Sequence, residues 1–298
     1  MKNVVKLISL FFLVSLSINL SWGQSGINAF LKPSDTLNVP RRNAVIIVEG
    51  IVFAAGVIEF NQPFSNQCWD SDFDFINDNR GYMQMDKASH VFSSYHISRF
   101  SAEGLQWAGV SKKNQLIYGG GMGFVLLTTI ELINGYKCES GASYGDIVAN
   151  AVGSSLYISQ ELLWKEQRIV PKFSFHSSDF MCVDARAMKS QIMDDYNGQT
   201  YWMSGNLHSF FKSSKILPKW FNVALGYGVE NFYVKQEGGS VLNSYRQLYF
   251  SLDVDLTRIK TNSHVLKTLF SVFNTIKVPA PTLEISQFGD VKGYFIYF

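Results

Sequence analysis

Residues 246–256 read Arg-Gln-Leu-Tyr-Phe-Ser-Leu-Asp-Val-Asp-Leu. In an extended chain Leu248, Phe250, Leu252, Val254 and Leu256 share one face, and Gln247, Ser251, Asp253 and Asp255 share the other. Period two with one polar face predicts a half-exposed antiparallel strand. Residues 221–229 repeat the pattern, with Phe221, Val223, Leu225, Tyr227 and Val229 on one side. Between this part and the C-terminus a helix is expected at 264–276, where Val265, Leu266, Leu269, Phe270, Val272, Phe273 and Ile276 follow helical spacing. Pro279 and Pro281 end it. Two short strands, near 282–288 and 293–298, close the chain. Tyr294, Ile296 and Phe298 alternate and finish on an aromatic, as outer-membrane barrels often do. Such a barrel needs eight or more strands of about 9–11 residues. Only four or five are recognisable after Pro171, so a small sheet packed on a helical unit is the better reading.

Before Pro171 the texture is helical. An apolar run from Asn43 to Phe60, broken only by Glu49 and Glu59, has helix length and stops before Pro63. Residues 24–42 read as a mobile leader, and 61–82 as a loop. Three helices follow, at about 83–106, 114–133 and 144–163. The second has no charge between Gln115 and Ile130, the third none between Ile147 and Gln160. A straight bilayer span wants about 20 apolar residues. These runs therefore fit either short, tilted membrane helices or buried core helices. Gly119 and Gly123 are four apart and would allow close helix approach, as in membrane bundles; the alternative is a loop at 119–121. The expected fold class is α+β: an N-terminal helical bundle of about four helices over 83–170 and its lead-in, then a smaller strand-rich module at 171–298.

The first 23 residues carry Lys2 and Lys6, an apolar run from Leu7 to Leu20, and Ser21-Trp22-Gly23. This is the form of a cleavable export signal. No Cys lies near the cleavage point, so lipid anchoring there is not expected. The whole chain has 26 basic and 24 acidic residues, a formal +2. Lys2 and Lys6 are the only charges in the signal, so the exported chain is neutral. Neutrality argues against nucleic-acid binding. Charged residues are 17% of the chain, where about 25% is usual, while aromatics reach 15%, which excludes global disorder. Of the three cysteines, Cys68, Cys138 and Cys182, two could pair; buried or unpaired thiols are the plainer reading. No CxxC supports a zinc or redox site.

Chemistry-bearing residues gather on helix faces. Asp86, His90 and Ser94 fall at i, i+4 and i+8, with Lys87 beside Asp86. Asp146, Asn150, Gly153 and Tyr157 form a second stripe, and Glu131 ends the helix between them. Buried carboxylates without partners are costly, so mutual satisfaction in one place is the economical arrangement. Each residue also has a plainer role. Asp86 suits a helix N-terminus, and Ser143 with Asp146 forms a loose capping box. As chemistry, His90 would carry the proton, with Asp86 or Asp146 orienting it and Glu131 as a second acid or base. Lys87, Asn150, Ser94 and Gly153 would complete a binding site. The spacing specifies no metal, and the absence of GxGxxG, P-loop and G-x-S-x-G motifs calls for no cofactor.

The run Met85-Asp86-Lys87-Ala88-Ser89-His90, then Glu131 with Asn134-Gly135, then Gly145-Asp146-Ile147-Val148-Ala149-Asn150 and Gly153, resembles the YfiM-type domain of unknown function. That bacterial envelope family is often labelled predicted periplasmic lipoprotein. More distantly the order is similar to VanZ-like membrane proteins, which have D-K-x-x-H on one helix, a Glu on the next and D-x-x-x-N-x-x-G on the last. The resemblance covers about 75–165. It implies a polar cluster of Asp86, Lys87, His90, Glu131, Asp146, Asn150 and Gly153, and no settled activity. Asn134-Gly135 stands where Asp-Gly is expected, removing one acid.

The functional expectation is an exported, membrane-associated envelope protein that binds an amphiphile or membrane partner through this cluster; a protein partner is also compatible. The rivals are a membrane-embedded enzyme acting on an envelope lipid or glycan precursor, and an outer-membrane structural component.

Overall fold

A computed structural model describes residues 24–61, 69, 72–79, 81–138, 140–178, 195–214, 216–232 and 244–298. Residues 1–23, where an export signal is expected, and Cys68 and Cys182 lie outside these residues. Cys138 is disulfide-bonded, which corrects the reading of unpaired thiols at that position.

The fold is mixed helix and sheet, with an antiparallel sheet in the C-terminal half. The longer helices among the described residues are α1 (Gln24–Phe30), α2 (Val39–Asn61), α3 (Met85–Trp107), α4 (Gly120–Asn134), α5 (Tyr144–Leu163) and α6 (His264–Phe273). The supposed leader is thus partly helical and anchored. Asn28 Oδ1 accepts the His264 backbone N–H at 2.5 Å, capping α6. Phe30 meets Trp107 edge-on at 5.0 Å, and Arg41 lies 4.6 Å over the Trp107 ring.

Helices α3, α4 and α5 pack pairwise, and α2 lies against α3 and α4. Glycine permits the closest crossings. A Cβ on Gly123 would stand 2.0 Å from the Ser94 carbonyl oxygen, and one on Gly153 2.4 Å from that of Val91. Gly119 is similarly close to Ala102, so the packing reading of this glycine face holds and the loop reading does not. A π-type turn, Gln115–Gly119, leads into α4. The segment Lys112–Asn134 is, by length and composition, long and apolar enough to cross a membrane; here it packs on both α3 and α5, which also contact each other.

A two-residue parallel pair joins β1 (Phe75–Ile76) to β2 (Ala142–Ser143). The main sheet runs in simple meander order: β3 (Ile169–Phe175), β4 (Gln199–Asn206), β5 (Phe221–Glu230), β6 (Tyr245–Val254), β7 (Ala280–Ser286) and β8 (Val291–Tyr297). It has two more strands than the clearest sequence signals, β3 and β4. Pro171 masks β3. It is tolerated because β3 is an edge strand, where a missing N–H breaks no ladder.

The polarity of this sheet is the reverse of a soluble one. Leu225, Leu248 and Phe250 are 62%, 57% and 45% exposed, while Lys172 and Asp253 are wholly buried. The polar face is internally satisfied. Lys172 Nζ meets Asp253 Oδ2 at 2.8 Å, and Ser204 donates to the same oxygen at 2.5 Å. Asn206 donates to Asn222 Oδ1 at 2.7 Å, and Gln247 to Glu284 Oε1 at 2.9 Å. Lys277 donates to the Leu252 and Val278 carbonyls, both at 2.7 Å. Buried polar groups need such partners.

Candidate functional site

Helix α3 begins after three non-glycine residues in the left-handed region: Tyr82 (φ 49°), Met83 (φ 52°) and Gln84 (φ 64°). That conformation costs about 1–2 kcal/mol per residue. Contacts from the sheet hold it. The Tyr227 hydroxyl donates to the Met83 carbonyl, and Arg246 donates to Gln84 Oε1 at 2.8 Å. The strained turn sets the direction of the next residues, which carry Asp86, Lys87 and His90.

Lys87 is the hub. Its Nζ lies 2.6 Å from Asp78 Oδ1, 2.9 Å from Asp146 Oδ1 and 3.1 Å from Asp86 Oδ2. Burial opposes its charge, but hydrogen bonds to Asp78 and Asp146 outweigh that and hold the ammonium above its ordinary range. Asp78 sits below its ordinary value, because hydrogen bonds from Lys87 and Ser143 together overcome its burial. Ser143 has two duties. Its Oγ donates to Asp78 Oδ1 at 2.5 Å and accepts the Asp146 N–H at 3.1 Å, capping α5 as the sequence indicates.

His90 stands beside this hub. Its Nδ1 is 2.9 Å from Asn150 Oδ1. With the Asn150 amide so oriented, its oxygen only accepts, so Nδ1 carries the hydrogen. Nε2 then faces Asp86 Oδ1 at 3.6 Å, Glu131 Oε1 at 3.8 Å and Asp146 Oδ1 at 3.9 Å. Glu131 is pushed up to about 6, chiefly by burial, which the nearby His90 only partly offsets. Burial, then the Asp146 charge, raises Asp86 as well. Four carboxylates thus share one ammonium and one imidazole. The group is electron-rich and prone to take up a proton or bind a cationic or hydrogen-bond-donating ligand.

Asp86, His90 and Asp146 place potential ligand atoms within 4.8 Å of one another. The Lys87 ammonium already sits on both carboxylates, so a divalent ion would have to displace it.

Three residues of the cluster, Asp86, His90 and Glu131, line a cavity of about 410 Å³. Its polar lining also includes Ser89, Ser93 and Asn134; Phe92, Leu127, Ile130 and Phe173 supply apolar lining; Tyr196, Gln199 and Tyr201 contribute from the sheet half of the chain. Burial raises the Tyr201 phenol well above its ordinary range, keeping it neutral. A larger cavity, about 670 Å³, lies toward the other end of α3. Its Arg258 is paired with Asp255 at 2.9 Å and Glu166 at 3.3 Å.

Of the residues singled out from sequence, Asp86, Lys87, His90, Glu131, Asp146 and Asn150 converge. Ser94 and Gly153 do not line the cavity. Ser94 donates to the Asn150 carbonyl at 2.6 Å and pairs with Ser154 at 2.8 Å, so it positions the helix that presents Asn150. Gly153 is a helix contact. Asp78 and the sheet residues were not anticipated. Asp78 reaches the site through the β1–β2 pairing, and residues so far apart in sequence leave no local periodic signal.

A family model described as Predicted periplasmic lipoprotein (DUF2279) matches residues 74–160. No curated protein and no solved structure matches the chain. The matched span runs from the start of β1 into α5 and contains the whole cluster from Asp78 to Asn150. Its description supports an exported, cell-envelope location and names no activity.

Proposed function

We propose that this chain is a membrane-associated envelope protein that takes an amphiphile into the 410 Å³ cavity and holds its polar end at the His90–carboxylate cluster. The observation that carries this reading is a single cavity lined both by Asp86, His90 and Glu131 of the cluster and by the apolar side chains Phe92, Leu127, Ile130 and Phe173. Ligand sites commonly have this size and this economy of polar groups. The excess of carboxylates selects an ammonium or hydroxyl-rich head over an anionic one. The YfiM-type and VanZ-like resemblances support the same cluster, and the bundle they imply is part of this proposal. The test is calorimetric titration of the folded protein with decylamine, with decyl sulfate as the opposite charge. Leu127→Trp, which fills the cavity, and Glu131→Gln should each weaken decylamine at least tenfold. Unchanged binding in both variants, or tighter binding of decyl sulfate, overturns the proposal.

A second reading has its own observation. With Nδ1 fixed on Asn150, His90 presents Nε2 to Glu131, whose carboxyl is pushed up to about 6. That pairing suits general acid–base chemistry on an envelope lipid or glycan precursor. His90→Gln that keeps decylamine binding and stability but abolishes the cellular phenotype favours catalysis. Retention of the phenotype removes it.

A further inference from the structure

The inverted sheet carries an inference independent of the cavity. From the geometry, we propose that the outward face of β4–β7 lies against the hydrocarbon of a lipid bilayer. Cross-strand register aligns Met203, Leu225, Phe250 and Leu283 in one row across four strands. Tyr227, Leu248 and Ile285 form the next row, and Val223 pairs with Leu252 beside the first. None of these side chains is charged. Of the charges on these strands, Asp253 and Glu284 lie on the opposite face and are buried; Arg246, at the start of β6 on the apolar side, is half-buried and donates to Gln84 Oε1, and Glu230 is half-buried at the end of β5. Antiparallel sheets of soluble proteins place the apolar face inward and the polar face in water. Apolar-out and polar-in is the alternation of strands that meet lipid.

Three further observations select a bilayer over a second copy of the chain. First, β5 and β6 are 10 residues long, about 34 Å at roughly 3.4 Å per residue, which covers a hydrocarbon layer of about 30 Å. Second, both ends of the sheet carry the residues found at membrane–water boundaries. The β4–β5 connection exposes Phe210, Phe211, Ile216 and Trp220, with Lys212 and Lys219 among them. At the opposite end Phe288 is 71% exposed in the β7–β8 turn and contacts Tyr245 at 5.4 Å. Third, apolar exposure is not confined to one patch. Ile47 and Val52 on α2, Val125 on α4 and Val148 and Val152 on α5 are also exposed. One two-fold partner covers one face, whereas hydrocarbon can meet several.

The experiment uses the full-length protein, purified in detergent and mixed with vesicles of phosphatidylethanolamine and phosphatidylglycerol. Flotation in a density gradient, with quenching by brominated phosphatidylcholine, reports where the face sits. The wild type should float, and a tryptophan placed by Leu225→Trp should be quenched more than one placed by Lys292→Trp. The double variant Phe250→Asn with Leu283→Asn should float at least tenfold less, with an unchanged melting temperature in detergent. Because misfolding would also impair flotation, the single variant Leu248→Ser gives a milder second reading, expected to fall about threefold. Wild type that remains at the bottom of the gradient overturns the proposal. So does equal quenching at positions 225 and 292. Asn variants that turn a dimer into a monomer while floating normally would show that a second copy covers this face, and would overturn it too.

Discussion

Replacing Glu131 by Gln tests whether burial governs the cluster. The carboxyl is pushed from its ordinary 4.5 to about 6, with desolvation as the largest cause. Below pH 4.5 the group is neutral in folded and unfolded chains alike, so Glu and Gln should be equivalent. Between pH 4.5 and 6 the unfolded chain ionises while the folded protein keeps its proton. The folded state binds more protons across this window, so wild-type stability falls as pH rises. The gap is worth about 2 kcal/mol at 1.36 kcal/mol per pH unit. Gln is isosteric, escapes this loss, and still offers an acceptor to the Ser143 N–H, 3.5 Å away in the wild type. Glu131→Gln should therefore melt with the wild type at pH 4 and roughly 4–8 °C above it at pH 7.5. Circular dichroism melts across this range measure the difference. A variant that melts lower than wild type at pH 7.5 would refute the reasoning. It would mean that the ionised carboxylate is stabilised by His90 and Ser143 more than it is penalised by burial.

Lys87→Met should cost about 3–5 kcal/mol at pH 7.5, because it strands Asp78, Asp86 and Asp146 without their ammonium. Melts should show a smaller cost at pH 5, where the raised Asp86 and Glu131 carboxyls take up protons more readily. Gly123→Ala should lose about 1–3 kcal/mol, since its Cβ would clash with the Ser94 carbonyl. Gly121→Ala, with nothing within 4 Å, should gain up to about 1 kcal/mol; the pair compared by denaturant unfolding separates packing from propensity. Lys172→Met should cost about 3–5 kcal/mol by removing the closer counter-charge of buried Asp253 and leaving it only Lys277, 4.0 Å away, and adding Asp253→Leu should recover part of it in the same assay.

Much of this was legible where local rules act. The 3.6-residue period placed Asp86, His90 and Ser94 on one helix face, and the cost of lone buried carboxylates argued that Asp86, Glu131 and Asp146 should meet. They do, with Lys87 as the shared counter-charge. The capping role of Ser143 was likewise readable from S-x-x-D spacing. Asp78 was not, because a two-residue parallel strand pair delivers it across a long sequence interval. Strands β3 and β4 were hidden by Pro171 and by strand residues such as Ser174, Gly205 and Asn206, which read as loop. The strands expected at 221–229 and 246–256 are present, the second ending at Val254 where a turn begins at Leu256, and so is their alternation. Which face turns inward was not decided by alternation, because period two has no sign. The sign comes from tertiary partners: Lys172 and Lys277 arrive from other segments and need Asp253 and backbone carbonyls, so the polar face becomes the inside.

The same face of the sheet has two uses along its width. On β3 and β4 it presents Phe173 and Tyr201, which wall the cavity. On β4–β7 it presents Met203, Leu225, Phe250 and Leu283, which are open. Tyr201 pairs with Tyr227, and Tyr227 with Leu248, so an unbroken apolar strip links the cavity wall to the exposed rows. The Tyr227 hydroxyl also donates to Met83, in the strained turn that sets α3 and hence His90. Met83 and Met85 pack on Tyr201 and Tyr227, so if the exposed rows meet hydrocarbon, an alkyl chain would enter the cavity along this strip by displacing the Met83 turn. The two proposals then make a joint demand. Tyr227→Asp, a charge in the middle of the strip, should slow transfer of decylamine from vesicles into the cavity while leaving its binding from detergent-free solution within about twofold. Equal slowing of both routes would place the effect on the Met83 turn instead, and no slowing of either would separate the cavity from the bilayer altogether.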